Sequence, residues 1–508
     1  MVTQQNNYCA LLCRAGDPNS LRLINAHPEV IDVVKRCLEK SGLEFAFNEK
    51  SQVTCAFKFS KYLFARGGTY EEDSVLIRMT LANIIEDMSK TNWVVDFSSD
   101  IGRHYTNSCL FFYKNPNLTS DEAIGSIFTF SPSSYDKALI IDVPEGLEEQ
   151  LMNGIKNTTG VSKYVLLYSN SGKTTSKVVL EDGGWMATGR EAILTRQLLL
   201  QMIKISQANR YELVTNMDIK GTSDSLMFQY RESPSGISNN FMIISLNGED
   251  KLRLIHDPST DELYQRFLEA TIEEVIKEFW HLGLKSSKVK EGCHQFKLEG
   301  YPWWANGEDA VESRFLIANL IAKMKSIGWE VHGTLDVSRK LQDKSVFIFR
   351  QCDPENQFYA VLSFHEEDKI RFQTNSSTSE QLMSCIDKIL NSAERIKTKQ
   401  EYGRATQWKV IGYPFHGFNG KQQRLMIHLL TKILTFFKAE GWKVVASADV
   451  SAKYIKTDDN TYPLDNHTWF FLHDPSGKSE NSVALEHLLN GDGVSQILSE
   501  EDGSCTIL

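Results

Sequence analysis

The chain has 508 residues, 41% of them hydrophobic and 24% charged, with a formal net charge of −10. That is ordinary globular usage and excludes a wholly disordered, collagen-like or polytopic membrane chain. At roughly 100–200 residues per domain the length implies about three or four domains. The acidic total argues against general nucleic-acid binding, which needs basic residues to displace counterions from phosphates.

The chain opens MVTQQNNYCALLCRAGDPNS. It has no basic region ahead of its brief apolar stretch and reads as a poor signal peptide. Nowhere do 18 apolar residues run together, so no membrane-spanning helix is expected. The nine cysteines are odd in number, irregular in spacing and without a CxxC pair. They read as reduced thiols of a cytosolic protein, which leaves the sequons at Asn117, Asn157, Asn375 and Asn466 idle.

A repeat is visible on comparing the chain with itself. A strand opening into a helix occurs as LRLINAHPEVIDVVKRCL from Leu21 and ALIIDVPEGLEEQLMNGI from Ala138. It returns as LRLIHDPSTDELYQRFL from Leu252 and IRFQTNSSTSEQLMSCI from Ile370. The implied division is modules at 1–122, 123–238, 239–357 and 358–480, then a flexible tail at 481–508.

Each module follows one outline. A hairpin comes first, its turn supplied by Gly, Asn, Asp and Pro. In module one the spacing of Val30, Val33, Val34, Cys37 and Leu38 predicts a helix from Pro28, with Gly42 as its stop. A Phe-Lys-Phe or Phe-Lys-Leu strand follows. Next comes a long helix, whose apolar positions in module three include Leu316, Leu320, Ile321 and Met324. Gly328 ends that helix, Trp329 opens a strand, and a second strand closes the unit. The expected fold is therefore α+β, four tandem modules of ββαβαββ with helices on a largely antiparallel sheet.

Anchors keep register along the long helix. Arg78, Arg196 and Arg314 stand 15 residues before Trp93, Tyr211 and Trp329, and 22 before Asp100, Asp218 and Asp336. Arg424, Trp442 and Asp449 repeat the order with three extra residues. One such pair per module suits a structural ion pair better than four active sites.

The clearest chemical signal is Cys505-Thr506-Ile507-Leu508, a C-a-a-X pattern whose terminal Leu specifies geranylgeranylation. It implies a prenyltransferase during processing and a lipid anchor on the cytosolic face of a membrane. The residues before it are acidic (Glu500, Glu501, Asp502), whereas stable anchoring usually adds a basic patch or a second lipid. Ser171-Gly172-Lys173-Thr174 imitates the end of a phosphate-binding loop. Leu167 stands where the first glycine belongs, and TTSKVVLED reads as a strand rather than the required helix.

Candidate ligand or lipid-headgroup contacts are Trp303 and Trp304, after Gly300-Tyr301-Pro302, and Arg339 and Lys340, with Lys344 and Arg350 beyond them. Module four offers Lys453 and an expanded loop holding Asp465 and His467. No HExxH, Cys/His cluster or G-x-S-x-G elbow occurs, and no cofactor is implied. The preferred reading is a prenylated, non-catalytic module array that binds protein partners or lipid headgroups. The alternative is an enzyme with its site in a cleft between modules.

Overall fold

The protein is seen in a computed structural model that describes residues 7–13, 19–49, 53–65, 71–102, 108–116, 124–170, 172–219, 223–232, 238–338, 344–416, 420–451, 454–456, 461–463, 465–477, 488–489 and 493–499. Module one contains β1 (Tyr8–Cys13), β2 (Ser20–Ile24), α1 (Pro28–Lys40), β3 (Phe45–Glu49), β4 (Thr54–Phe59), α2 (Glu71–Ser89), β5 (Trp93–Asp100) and β6 (Ser108–Lys114). Module two contains β7 (Ile124–Ser133), β8 (Lys137–Pro144), α3 (Glu145–Thr159), β9 (Val161–Asn170), β10 (Lys173–Leu180), α4 (Gly189–Ala208), β11 (Tyr211–Asp218) and β12 (Asp224–Arg231). Module three contains β13 (Phe241–Asn247), β14 (Lys251–His256), α5 (Glu262–Phe279), β15 (Leu284–Lys290), β16 (Cys293–Leu298), α6 (Asp309–Ser326), β17 (Trp329–Leu335) and β18 (Val346–Gln351). Module four contains β19 (Tyr359–His365), β20 (Lys369–Thr374), α7 (Ser379–Ser392), β21 (Ile396–Tyr402), β22 (Ala405–Val410), α8 (Gly420–Ala439) and β23 (Trp442–Ala448). It then adds the small ribbon β24 (Tyr454–Lys456) and β25 (Thr461–Pro463), and ends with β26 (Asp465–His473). A short helix, α9 (Gly493–Ser499), follows.

The fold is α+β and fourfold repeated, as expected, but each module is ββαββαββ. The additional strand is β3, β9, β15 or β21, at the outer edge of its sheet. The sequence hides it because edge strands of this kind bury little. LKSSKVK in β15 and IKTKQEY in β21 are mostly exposed, and their lysines guard the open edge instead of marking a core face. The tail also differs from expectation. Within it α9 is a helix whose Ile497 is fully buried against the core that contains α8.

All four sheets share one strand order, such as β15-β16-β14-β13-β18-β17, and every pairing is antiparallel. The module's own two helices cover one face. The other face is covered by the long helix of the module before it. Thus α2 lies on β7 and β8, α4 on β13 and β14, and α6 on β19 and β26. The series closes on itself, because α8 lies on β1 and β2. The inner edge strands β5, β11, β17 and β23 touch in turn, with β23 returning to β5. Four modules therefore make a ring around an axis lined by these strands.

The cores follow the same rule. One cluster joins Leu429, Ile433 and Phe437 of α8 to Ala10, Leu12 and Phe111 of module one. Another joins Leu320 and Met324 of α6 to Val361 and Phe470 of module four. Each core is thus completed by the next module, and no module encloses its own sheet.

Buried arginines fasten three of the seams. The Nε of Arg78 donates to Ser131 (2.8 Å) and Ser225 (3.2 Å) of module two. That of Arg196 donates to Ser245 of module three (2.9 Å), and that of Arg314 to Thr468 of module four (2.9 Å). These four bonds each cross from one module to the next. In the closing seam the receiving position is Leu12, opposite Cys109. There Asn25 of module one donates to Thr431 and lies 2.5 Å from His428, while Lys438 meets Asp96 at 2.8 Å.

Because each sheet borrows its second cover, a single module is expected not to fold alone. Residues 239–357 expressed by themselves should bind a hydrophobic dye and show no cooperative melting transition, whereas the full chain melts cooperatively. An independent, cooperative melt of that fragment would contradict the shared cores.

Candidate functional site

The strands at the axis share one irregularity. Each carries a bulge, and the residues it sets out of register are Asp96, Val214, His332 and Val445. A bulge re-aims its side chain, and all four line the cavity at the ring axis. Ser98, Thr215, Asn216, Thr334 and Ser447 add polar groups to the wall. The cavity holds about 90 Å³. That is room for roughly three waters, well below the roughly 300–1,000 Å³ of a drug-sized ligand site.

The two polar bulge residues sit in comparable places with different partners. Asp96 accepts from the Tyr8 hydroxyl (2.6 Å) and from Lys438 of module four (2.8 Å). His332 packs on Phe241, ring centroids 5.4 Å apart, with its Nε2 shielded from solvent. Burial and then the neighbouring Arg350 lower its pKa to about 3, so the imidazole is neutral. Gly333 is fixed by proximity, since a Cβ there would meet Leu213 of module two at 3.2 Å.

At one end of the axis the backbone of three strand-end aspartates, Asp100, Asp336 and Asp449, docks on the module before it. The Asp336 amide donates to Asp224 Oδ2 (2.6 Å) and that of Asp449 to Ser345 Oγ (2.9 Å). The amide of Asp100 donates to His467 Nδ1 (3.2 Å). His467 is thus a half-buried acceptor, with a pKa lowered by desolvation to about 4. Asp224 is pushed the other way. Burial, with Asp218 adding repulsion, raises its pKa to about 7, although Asp336 N and Asn216 Nδ2 bond to it.

These facts locate the sequence candidates. Trp303 is fully buried, and its indole donates to Lys251 O at 2.9 Å. It plugs the module and cannot reach a surface ligand. Trp304 is half-buried beside it. His467 belongs to the closing seam. Lys344 is buried, donating to Gly248 O (2.6 Å), and Arg350 bridges Glu330 (2.8 Å) and Glu212 of module two (3.0 Å). Neither of these two faces a lipid. Asp465 opens β26 opposite His365. Arg339, Lys340, Lys453 and Cys505 lie outside the described residues. Gly172 lies in the tight turn from β9 into β10 and Lys173 opens β10, paired with Asn170, so no helix stands where a phosphate site needs one. Among the described residues no group of three or more His, Cys, Asp or Glu is placed to hold a metal, and no helix is long and apolar enough to cross a membrane. The axial bulges were not legible in the sequence. Their one signal is the pairing of a polar residue with two valines and a histidine at one repeat position.

One protein-family model, for a single domain, matches the chain four times, over residues 13–113, 126–229, 240–350 and 358–472. The chain belongs to that repeat family. No curated protein matches it. Each matched stretch falls on one module of the ring, so the family's unit is the structural repeat.

The Asp224 contribution has a definite sign. Its folded pKa lies above the unfolded 3.8 or so, so its contribution is fully present below that value and is lost as pH rises through about 7. Asp224→Asn keeps an oxygen to accept from Asp336 N. It should raise stability at pH 8 by as much as about 4 kcal/mol and leave it nearly unchanged at pH 4, read as a shift in Tm at the two pH values.

Proposed function

We propose that this chain is a non-catalytic binding ring, carried on the cytosolic face of a membrane by a geranylgeranyl group on Cys505. The observation that carries the reading is the sequence Cys505-Thr506-Ile507-Leu508, which a prenyltransferase reads as a substrate when it stands at a free carboxyl end. The repeat supports the binding role. Four modules spend their most polar buried residues on holding one another, as Arg78, Arg196 and Arg314 do. The polar axial cavity, at about 90 Å³, suits a few waters better than a substrate.

The tether also fits a surface role. Residues 500–505 carry the chain from Ser499, at the end of α9, to Cys505. They reach at most about 20 Å, so a lipid on Cys505 holds the ring close to the bilayer. One prenyl chain is a weak anchor by itself, and Glu500, Glu501 and Asp502 are repelled by an anionic leaflet. A second contact, with a protein partner or with lipid headgroups, completes the attachment.

Cells fed a labelled isoprenoid should incorporate it into the native chain and not into Cys505→Ser, and the variant should move from the membrane to the soluble fraction. Equal labelling, or equal fractionation, would remove the anchor from this reading.

A further inference from the structure

At the end of the ring that carries the strand-end aspartates, each module has a corner. There the chain leaves its fourth strand in sequence and turns toward the long helix. The corner is held by one buried plug residue: Phe64, Trp185, Trp303 or Phe415. In modules two, three and four the plug is tied to the module's first hairpin in the same way. Trp185 N donates to Tyr135 O (2.8 Å), Trp303 N to Glu249 O (3.0 Å) and Phe415 N to Glu367 O (3.1 Å). In module three Lys344 ties that hairpin turn to the connection after Asp336. The corners therefore share an end of the ring with the loops that follow β5, β11, β17 and β23, which is called the loop face below.

Two residues before the plug, Tyr62, Tyr301 and Tyr413 are exposed, at 62%, 63% and 56%. Module two has Gly183 at that place. Its corner is nonetheless occupied, because Tyr135 of the hairpin turn stands there and is 68% exposed. A Cβ on Gly184 would touch the Tyr135 carbonyl at 2.8 Å. One exposed tyrosine thus stands at every corner, supplied from a different segment in module two. An exposed aliphatic residue lies beside it in three modules, Met186, Leu282 or Ile411.

We propose that the loop face is a membrane-interface docking surface, contacting the bilayer through Tyr62, Tyr135, Tyr301 and Tyr413. A single exposed aromatic residue needs no explanation. The same exposed aromatic at four repeat-equivalent corners does. The corners are rigid, being pinned by fully buried plugs, and ring symmetry sets them around one face. Four spaced points on one face of a ring meet a flat, extended partner together, and a small or convex one only singly. Tyrosine suits the boundary between headgroups and hydrocarbon, with an apolar ring and a wet hydroxyl. Being uncharged, it also gives a chain of net charge −10 a contact that does not depend on lipid charge. The proposal rests on the membrane reading above and supplies the second contact that one prenyl chain requires.

The test removes the lipid first. Full-length Cys505→Ser is floated with vesicles of zwitterionic phosphatidylcholine at low and high salt. It should float, with little dependence on salt. A further variant carrying Tyr62→Ser, Tyr135→Ser, Tyr301→Ser and Tyr413→Ser should float at least roughly tenfold less, because linked contacts on one rigid body multiply their effects. It should keep the parent's melting temperature. Leu263 and Phe267 of α5 are also exposed, at 74% and 47%, but belong to one module alone. Leu263→Ser with Phe267→Ser should float like the parent. The proposal is overturned if the Cys505→Ser chain does not float, as it would not if the tyrosines serve a protein partner. It is equally overturned if the four-tyrosine variant floats like its parent, or if the α5 variant falls as far. Isoprenoid labelling of Cys505 is scored separately, so loss of the anchor and loss of the docking surface give different results.

Discussion

A six-stranded sheet has two faces, and each module of this protein can cover only one. That shortfall organises the molecule. The module's two helices pack on one face, and the apolar second face is left to the long helix of the preceding module. An open row of such modules would always leave the first sheet bare. Closing the row places α8 on β1 and β2, and every sheet is then covered twice. The ring is thus the arrangement in which a repeated, half-covered unit has no exposed end, much as barrels remove the edges of a sheet.

Polar groups follow from the same geometry. Each long helix enters a neighbour's core, and its buried arginine must find acceptors there. Hydroxyls on the neighbour's strands provide them in three seams: Ser131 and Ser225 for Arg78, Ser245 for Arg196 and Thr468 for Arg314. The closing seam adds other polar contacts, with Asn25 against His428 and Thr431, and Tyr8 and Lys438 on Asp96. It also buries Lys432, whose pKa is lowered by desolvation. The side chains described at the seam between the first and fourth modules thus differ from those described at the other three.

Much of this was legible in the sequence, and the rest was hidden for physical reasons. Val30, Val33, Val34, Cys37 and Leu38 were identified as one helix face, and they are the buried residues of α1. Period, module count and fold class were readable because strong anchors recur at fixed spacing. The edge strands were not, since solvent on their outer side leaves no alternation to detect. Trp303 looked like a loop residue because its neighbours are Gly, Tyr and Pro. It is buried because Lys251 O accepts its indole N–H. The recurring arginines read as partners of an aspartate in their own module, and the bonds of Arg78, Arg196 and Arg314 to Ser131, Ser225, Ser245 and Thr468 cross to the next module instead, a distinction that one chain compared with itself cannot make. The corner tyrosines were half visible, in Gly-Tyr-Pro of modules three and four. The match in module two appears only in space, because Tyr135 comes from another segment.

The bond between Asn25 and His428 spans 403 residues of chain. At about 5–20 residues per second a ribosome needs roughly 20–80 s to make that stretch. For that interval the outer face of the first sheet, with Ala10 and Leu12 on it, has no cover of its own. The nascent chain must shield it by other means, either by transient collapse or in the grip of a chaperone. The last module made is the one that finishes the first, so a truncated product missing α8 loses more than its final quarter. It leaves an apolar surface open at the other end of the chain, which marks it for clearance by the cell's quality control.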